Sequence, residues 1–321
     1  MLKQYFDNIV NTYQKNKLVT VMSTVLLLLC IIAMFEAPSQ GAFGPSGLTV
    51  HVPSVMMIVL IGVAIGCYGT IVGIGGGPLI VPILYFFYGW ENEFLVATSL
   101  MIVFLNAFSG SIGYAVQKRI DYRGGVKFSL AALPGAVLSG LVHHHFNIRM
   151  FNIIFGVFLL LLAVYCIIGI RKMREAQTTR EIKDAPASHR RVSVIDHFGL
   201  KFNYASNDKL GVYMNLLLGF FVGFLGIGGG VFQVPILLFL LRYPPHIATA
   251  TSHFITMLTC AIAVMPHLFF DNVYVGEALW MGLGVVVGAQ AGAWLAPKLN
   301  SKLIMYLFVI VIFIFAVKLF I

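Results

Sequence analysis

A glycine-rich block occurs twice in this chain, Gly73-Ile74-Gly75-Gly76-Gly77 and Gly226-Ile227-Gly228-Gly229-Gly230, each set in apolar sequence. Such a block interrupts a helix where a bilayer normally forbids it, since bared backbone N–H and C=O groups find no partner in hydrocarbon. The copies lie 153 residues apart, and the same displacement aligns, without a gap, Gly66 with Gly219, Val81-Pro82-Ile83-Leu84 with Val234-Pro235-Ile236-Leu237, Ala97-Thr98-Ser99 with Ala250-Thr251-Ser252, Gly135-Ala136 with Gly288-Ala289, and Asn147 with Asn300. A series of this kind is an internal duplication.

Hydrophobic residues make up 59% of the 321 positions and charged ones 10%, with a mean hydropathy of +0.92. That leaves too little polar surface for a water-soluble globule, so the chain is expected to be an integral membrane protein. A net charge of +9 would suggest nucleic acid in a soluble domain, but the Lys and Arg residues fall in short loops between apolar runs and read as topology signals. No nucleic-acid partner is expected. Cys30, Cys67, Cys166 and Cys260 all fall in apolar segments without paired or metal-ligand spacing, so free thiols are expected.

The first apolar run, about residues 18–35, follows a tail bearing Lys3, Lys15 and Lys17 and is read as an uncleaved helix rather than a signal peptide. Full-length spans are expected at about 95–116, 126–146, 151–170, 247–269, 277–296 and 303–321. Around the glycine blocks the arms 78–89 and 231–241 are shorter. An arm of a dozen residues rises about 18 Å, against a hydrocarbon core of roughly 30 Å. Each block is therefore read as the tip of a re-entrant hairpin, with 52–72 and 210–225 as the preceding arms.

The basic residues then set the sidedness. With the N-terminus inside, the inside loops carry Lys118, Arg119, Arg123 and Lys127, nine Lys or Arg over 171–209, Arg242, Lys298 and Lys302, whereas Glu36, Glu91, Glu93, Asp271 and Glu277 fall outside, with Arg149 and Lys318 as the basic residues there. This follows the positive-inside rule and places the two hairpins on opposite sides of the membrane, as inverted repeats. The expected organisation is a tail, extra helix and outside loop (1–51), a first repeat (52–170), a basic cytoplasmic linker (171–209) and a second, inverted repeat (210–321). The location is the cell inner membrane, with the C-terminus outside. The linker is read as solvated or lying near anionic lipid, with no folded domain in it.

A glycine loop at membrane depth is tolerated where protein or a wet cavity surrounds it, and the short helix behind each tip presents unpaired N–H groups and the positive end of its dipole. These features suit an anion. The candidate ligand groups are Gly75, Gly76, Gly77 and Pro78 in the first half and Gly228, Gly229 and Gly230 in the second, joined by the hydroxyls of Thr98, Ser99, Thr251 and Ser252. Ser and Thr in membrane helices also bond back to their own helix. The halves differ where Leu100 corresponds to His253, Ile80 to Gln233 and Asn106 to Thr259. Asn106, Gln233 and His253 are therefore the positions where substrate asymmetry could enter.

All twelve acidic residues lie in loops or at span ends, so no membrane-embedded carboxylate offers a proton relay. His143-His144-His145 lacks accompanying Cys or carboxylate ligands and is not read as a metal site. No P-loop, zinc-protease helix or nucleophile elbow is present, and neither an enzyme activity nor a cofactor is expected.

The repeated Gly-Ile-Gly-Gly-Gly followed by Val-Pro-Ile-Leu, with Ala-Thr-Ser about fifteen residues later, resembles the sulfite exporter TauE/SafE family of membrane proteins, over both repeats. The resemblance implies a secondary transporter, with export the expected direction, of small sulfur-containing anions such as sulfite or organosulfonates. It carries the motif onto Gly75 to Pro78, Gly228 to Gly230, Thr98, Ser99, Thr251 and Ser252, with Val231 where the first half has Pro78. The expectation is thus an all-α integral membrane protein, an inverted-topology repeat transporter with two re-entrant helical hairpins plus one extra N-terminal transmembrane helix. Its partners are a small anion and the lipid bilayer. It would work by alternating access, with H⁺ or Na⁺ as the candidate coupling ion. The alternatives are an anion channel and a membrane sensor or scaffold acting through the basic linker.

Overall fold

The computed structural model describes residues 55–88, 90, 92–142, 185–225 and 228–299, with isolated positions within 156–182 and 306–313. The expected first helix, Gly226-Ile227, the histidine triplet and the bulk of the spans at 151–170 and 303–321 lie outside the described residues. Within the described stretches, eight α-helices and two strands follow in order: α1 Val55–Val72, α2 Gly77–Tyr88, α3 Asn92–Val116, α4 Tyr122–Val142, β1 Arg190–Ile195, β2 Lys201–Ser206, α5 Asp208–Leu225, α6 Gly230–Pro235, α7 Pro245–Phe269 and α8 Val275–Leu295. A π-helical turn, Ile236–Leu240, prolongs α6. Four segments among the described residues, Val55–Val72, Glu93–Val116, Pro245–Phe269 and Val275–Lys298, are long and apolar enough to cross a membrane.

The duplication reappears as geometry. Displacing α1, α3 and α4 by 153 residues gives the bounds of α5, α7 and α8, and α2 falls on α6 with its π turn. Packing is reciprocal: α1 lies along α8 and α4 along α5, α3 packs on α7, and α3 touches α8 as α4 touches α7. At these crossings small residues let backbones meet, as in membrane bundles generally. A methyl group on Gly66 would lie 2.6 Å from Val285 Cα, and one on Gly219 would lie 2.7 Å from the Ala132 carbonyl carbon. Those two contacts correspond under the displacement, so one packing solution is used twice.

Helices α3 and α7 run antiparallel at the centre. A methyl on Gly110 of α3 would touch the His253 ring of α7, while one on Gly228 would touch both Val103 and Cys260. Partner numbers therefore rise on one helix as they fall on the other. Each helix is also pinned near its start to the other half. Thr98 Oγ1 accepts a hydrogen bond from the Tyr274 backbone N–H at 3.1 Å, and Thr251 Oγ1 accepts one from the Asp121 N–H at 3.1 Å. These bonds hold the entries to α8 and α4, at opposite ends of the central pair.

The linker departs from the reading of a solvated, unfolded segment. Residues 190–206 form an antiparallel β-hairpin, with Arg190 opposite Ser206 and Ile195 opposite Lys201. Its β1 strand alternates half-buried with exposed positions, so Val192 and Val194 pack inward while Arg191 and Ser193 face out. All-α thus describes the apolar helices but not this piece. The turn docks through a buried ion pair, with Arg119 donating to Asp196 Oδ2 from Nε at 3.1 Å and from Nη2 at 2.7 Å. Asp196 Oδ1 also accepts the backbone N–H groups of Phe198 at 2.9 Å and Leu200 at 2.8 Å. Removing one partner of so enclosed a pair would strand the other charge, which is why such pairs are costly to break.

Candidate functional site

The first glycine tip begins where α1 ends. Gly73 and Ile74 both donate backbone N–H bonds to the Gly69 carbonyl at 2.9 Å, closing the helix. Helix α2 then starts on the Gly76 carbonyl, which accepts from Leu79 and Ile80 at 3.0 Å, with Pro78 in the first turn where no N–H is needed. The second tip repeats this start, with Gly229 accepting from Phe232 at 3.1 Å and Gln233 at 2.9 Å.

The two tips meet. Gly75 and Gly228 occupy equivalent positions with φ of +73° and +69°, in the left-handed region where a side chain is strained. A methyl on either would touch the same two groups, Val103 Cγ1 of α3 and Thr256 Cγ2 of α7. Val103 and Thr256 are themselves equivalent under the displacement. Further along the second tip, a methyl on Gly230 would lie 2.5 Å from Ile74 Cα, so the backbones of the two tips are in contact.

Polar groups gather on one side of this meeting point. Thr70 Oγ1, on the last turn of α1, lies 3.4 Å from Asn106 Oδ1 and 3.2 Å from His253 Nε2. With His253 donating from Nε2 to Thr70 and Thr70 donating to Asn106, the chain of three is connected, and His253 Nδ1 is left buried without a partner. Asn106 is then left with its amide N–H₂ as donor, and that nitrogen would lie 3.6 Å from a methyl on Gly76. Tyr114 donates its hydroxyl to the Thr70 carbonyl at 2.7 Å, and Ser252 donates to the Gly73 carbonyl at 2.8 Å. Both bonds secure carbonyls at the broken end of α1. Asn106 Nδ2, Gln233 Nε2 and Thr256 Oγ1 are buried without a hydrogen-bond partner. An unpaired buried donor costs free energy comparable to a lost hydrogen bond, so each of the three needs a reason.

The sequence candidates thus separate. Gly75, Gly76, Gly228, Gly230, Asn106, Ser252 and His253 are brought to the tips, and Gly229 stands one helical start away from Gln233. Gly77, Pro78 and Gln233 are buried in the first turns of α2 and α6. Thr98 and Thr251 have their hydroxyls on backbone N–H groups of the other half instead, and Ser99 donates to the Val96 carbonyl of its own helix at 2.8 Å. Thr70, Tyr114 and Thr256 are not singled out by sequence. A signal for Thr70 exists in its place three residues before Gly73, since its counterpart in the second half is Gly223.

The model of the family described as sulfite exporter TauE/SafE matches residues 9–165 and again 58–319, two overlapping windows that together take in nearly the whole chain. Among curated proteins, the chain is 27% identical over 277 residues to the probable membrane transporter protein YunE of Bacillus subtilis, covering 83% of this chain and 97% of that one. It is 26% identical over 263 residues to the probable membrane transporter protein MJ0441 of Methanocaldococcus jannaschii, covering 77% and 88%. A probable membrane transporter protein of Xylella fastidiosa is 27% identical over 244 residues, covering 76% and 84%. No solved structure matches significantly. The apolar helices and the match over both halves agree, and the chain is a membrane protein that belongs to the sulfite exporter TauE/SafE family of probable membrane transporters.

Proposed function

We propose that this protein is a secondary transporter of a small sulfur-containing anion, such as sulfite or an organosulfonate, held where the two glycine tips meet. The observation that carries the reading is the set of unpartnered buried groups, Asn106 Nδ2, Gln233 Nε2 and Thr256 Oγ1, beside two helix starts. An oxyanion supplies acceptors for such donors, and the tip glycines admit it against the backbone. The name of the family supplies the sulfur chemistry.

Alternating access by an inverted repeat is part of the same reading. Its support is the antiparallel central pair α3 and α7, the reciprocal packing of the halves and the meeting of short helices that start at glycine tips. On this reading α2, at 12 residues, is the returning arm of a re-entrant hairpin. The inner membrane, a cytoplasmic β-hairpin face, export as the direction and coupling to H⁺ or Na⁺ belong to the proposal as well.

A thermal-shift screen of the purified protein against sulfite, thiosulfate, sulfate, sulfoacetate, taurine and simple carboxylates tests it. A ligand at a hundredfold its Kd stabilises the folded state by about 2.7 kcal/mol, and one of the sulfur oxyanions is expected to raise the Tm. Asn106→Leu combined with Gln233→Leu removes two donors and is expected to abolish that rise. A rise that survives in the double variant, or no rise with any anion, would show that the tips are not the binding site.

A further inference from the structure

The displacement that relates the halves also relates two closures, and the two are chemically different. At the Thr98 end, Trp90 packs at a tilt on Tyr274 with ring centroids 4.5 Å apart, while Tyr88 stacks on Trp90 at 4.4 Å and Phe94 on Tyr274 at 4.9 Å. At the Thr251 end, Tyr243 takes the place of Trp90 and Asp121 that of Tyr274. There Tyr243 donates its hydroxyl to Asp121 Oδ2 at 2.9 Å, Tyr204 of β2 donates to the same oxygen at 3.0 Å, and Arg190 of β1 donates to both carboxylate oxygens. Arg190 Nε reaches Asp208, at the start of α5, at 2.9 Å, and Lys127 of α4 reaches Asp208 at 2.8 Å.

Asp121 precedes α4 in the first half, whereas Asp208 and Tyr243 belong to the second. Arg190 and Tyr204 come from the linker, so the β-hairpin bridges the halves at this end. At the other end the corresponding closure is built from ring contacts between residues of the two halves. Burial by itself would raise the Asp121 carboxyl, but the hydrogen bond and charge of Arg190, with the Gly124 N–H and the Tyr243 hydroxyl, hold it below the usual carboxylate range. The acid is therefore ionised at neutral pH and accepts from every donor around it.

We propose that the linker β-hairpin is a latch that holds one mouth of the transporter closed, with Arg190 and Asp121 as its bolt, while the ring cluster of Trp90, Phe94 and Tyr274 closes the other mouth. The inference rests on the alternating-access reading above. Both sets of contacts are made in this structure, and on the alternating-access reading that corresponds to the occluded arrangement of a carrier. Opening toward the hairpin face then requires charge-assisted hydrogen bonds to part, and opening toward the aromatic face requires rings to unstack. The linker is in this way a conformational control of the carrier and not merely a tether between repeats.

Cys260 supplies a native reporter, since it is buried and a methyl on Gly228 would lie 3.5 Å from its Sγ. In a Cys30→Ala, Cys67→Ala, Cys166→Ala background, vesicles are treated with a membrane-impermeant methanethiosulfonate from one side or the other. Labelling of a separate Ser193→Cys variant, exposed on β1, marks which side carries the hairpin. Arg190→Ala is expected to speed Cys260 labelling about tenfold from the hairpin side alone, and Trp90→Ala to do so from the opposite side alone. Asp121→Asn keeps the side-chain shape and should act as Arg190→Ala does, which guards against misfolding of either variant. Wild-type rates in both latch variants, with Trp90→Ala still opening its own side, would overturn the latch and leave the carrier standing. Rapid labelling of the unaltered protein from both sides at once would instead remove the carrier reading, and the latch with it.

Discussion

Valine placed together at Gly75 and Gly228 is expected to lower transport at least about a hundredfold while leaving the helices assembled. Both positions have positive φ, and an L-residue there costs roughly 1–2 kcal/mol, more when it is β-branched. Both side chains would also press on Val103 and Thr256, a Cβ at position 75 lying 3.1 and 3.2 Å from them and one at position 228 lying 2.7 and 3.3 Å away. Overpacking of that kind adds about 1–3 kcal/mol. Val103 and Thr256 are buried and β-branched, with little freedom at χ1, so the glycine tips themselves must shift, which disturbs the place where the anion would sit. Gly276→Val is the control, because nothing lies within 4 Å of a methyl at Gly276. Uptake and elution profiles of the three proteins check this: a double variant that transports normally would separate the tips from function.

A second large effect is expected in stability rather than transport. At Gly66 and Gly219 the obstructing atoms are backbone, Val285 and Ala132 respectively, and backbone cannot rotate away as a side chain can. Gly66→Val and Gly219→Val must each push two long helices apart, at about 3 kcal/mol or more. In one detergent, each is expected to lower the Tm by on the order of 10 °C. The two drops should be alike, since the crossings of α1 on α8 and of α5 on α4 are equivalent. Very unequal drops would mean that the halves do not share one packing scheme.

That equivalence is legible in the sequence, because a duplication that keeps its spacing carries helix bounds, crossings and tips with it. Gly66 and Gly219 align by spacing alone, and their backbone contacts correspond in turn. The β-hairpin is harder to see. Arg190, Arg191 and Lys201 give the linker the look of a solvated run, and that outweighs the two-residue alternation of Val192 and Val194. What Arg190 and Arg119 bond to is decided by tertiary structure, through carboxylates at positions 121, 208 and 196.

The site shows the same division. Glycines announce themselves, since few other residues can stand where the backbone turns left-handed. A hydroxyl in an apolar helix does not reveal its partner: Ser252 reaches the first tip, whereas Thr98 and Thr251 hold backbone N–H groups of the opposite half. Thr70 draws no notice in the sequence because a lone threonine in α1 looks like any self-bonded one. Its role becomes visible only when Asn106 of α3 and His253 of α7 are brought to it.

On this reading an anion is carried between the tips and is not passed through an open pore, and counterflow distinguishes the two. Proteoliposomes loaded with unlabelled sulfite, then diluted into a trace of radiolabelled sulfite, should accumulate label transiently above its equilibrium level. The accumulation should saturate with internal sulfite and vanish in the Gly75→Val, Gly228→Val protein. Flux that rises linearly with concentration, without overshoot and with single-channel currents in planar bilayers, would contradict the account.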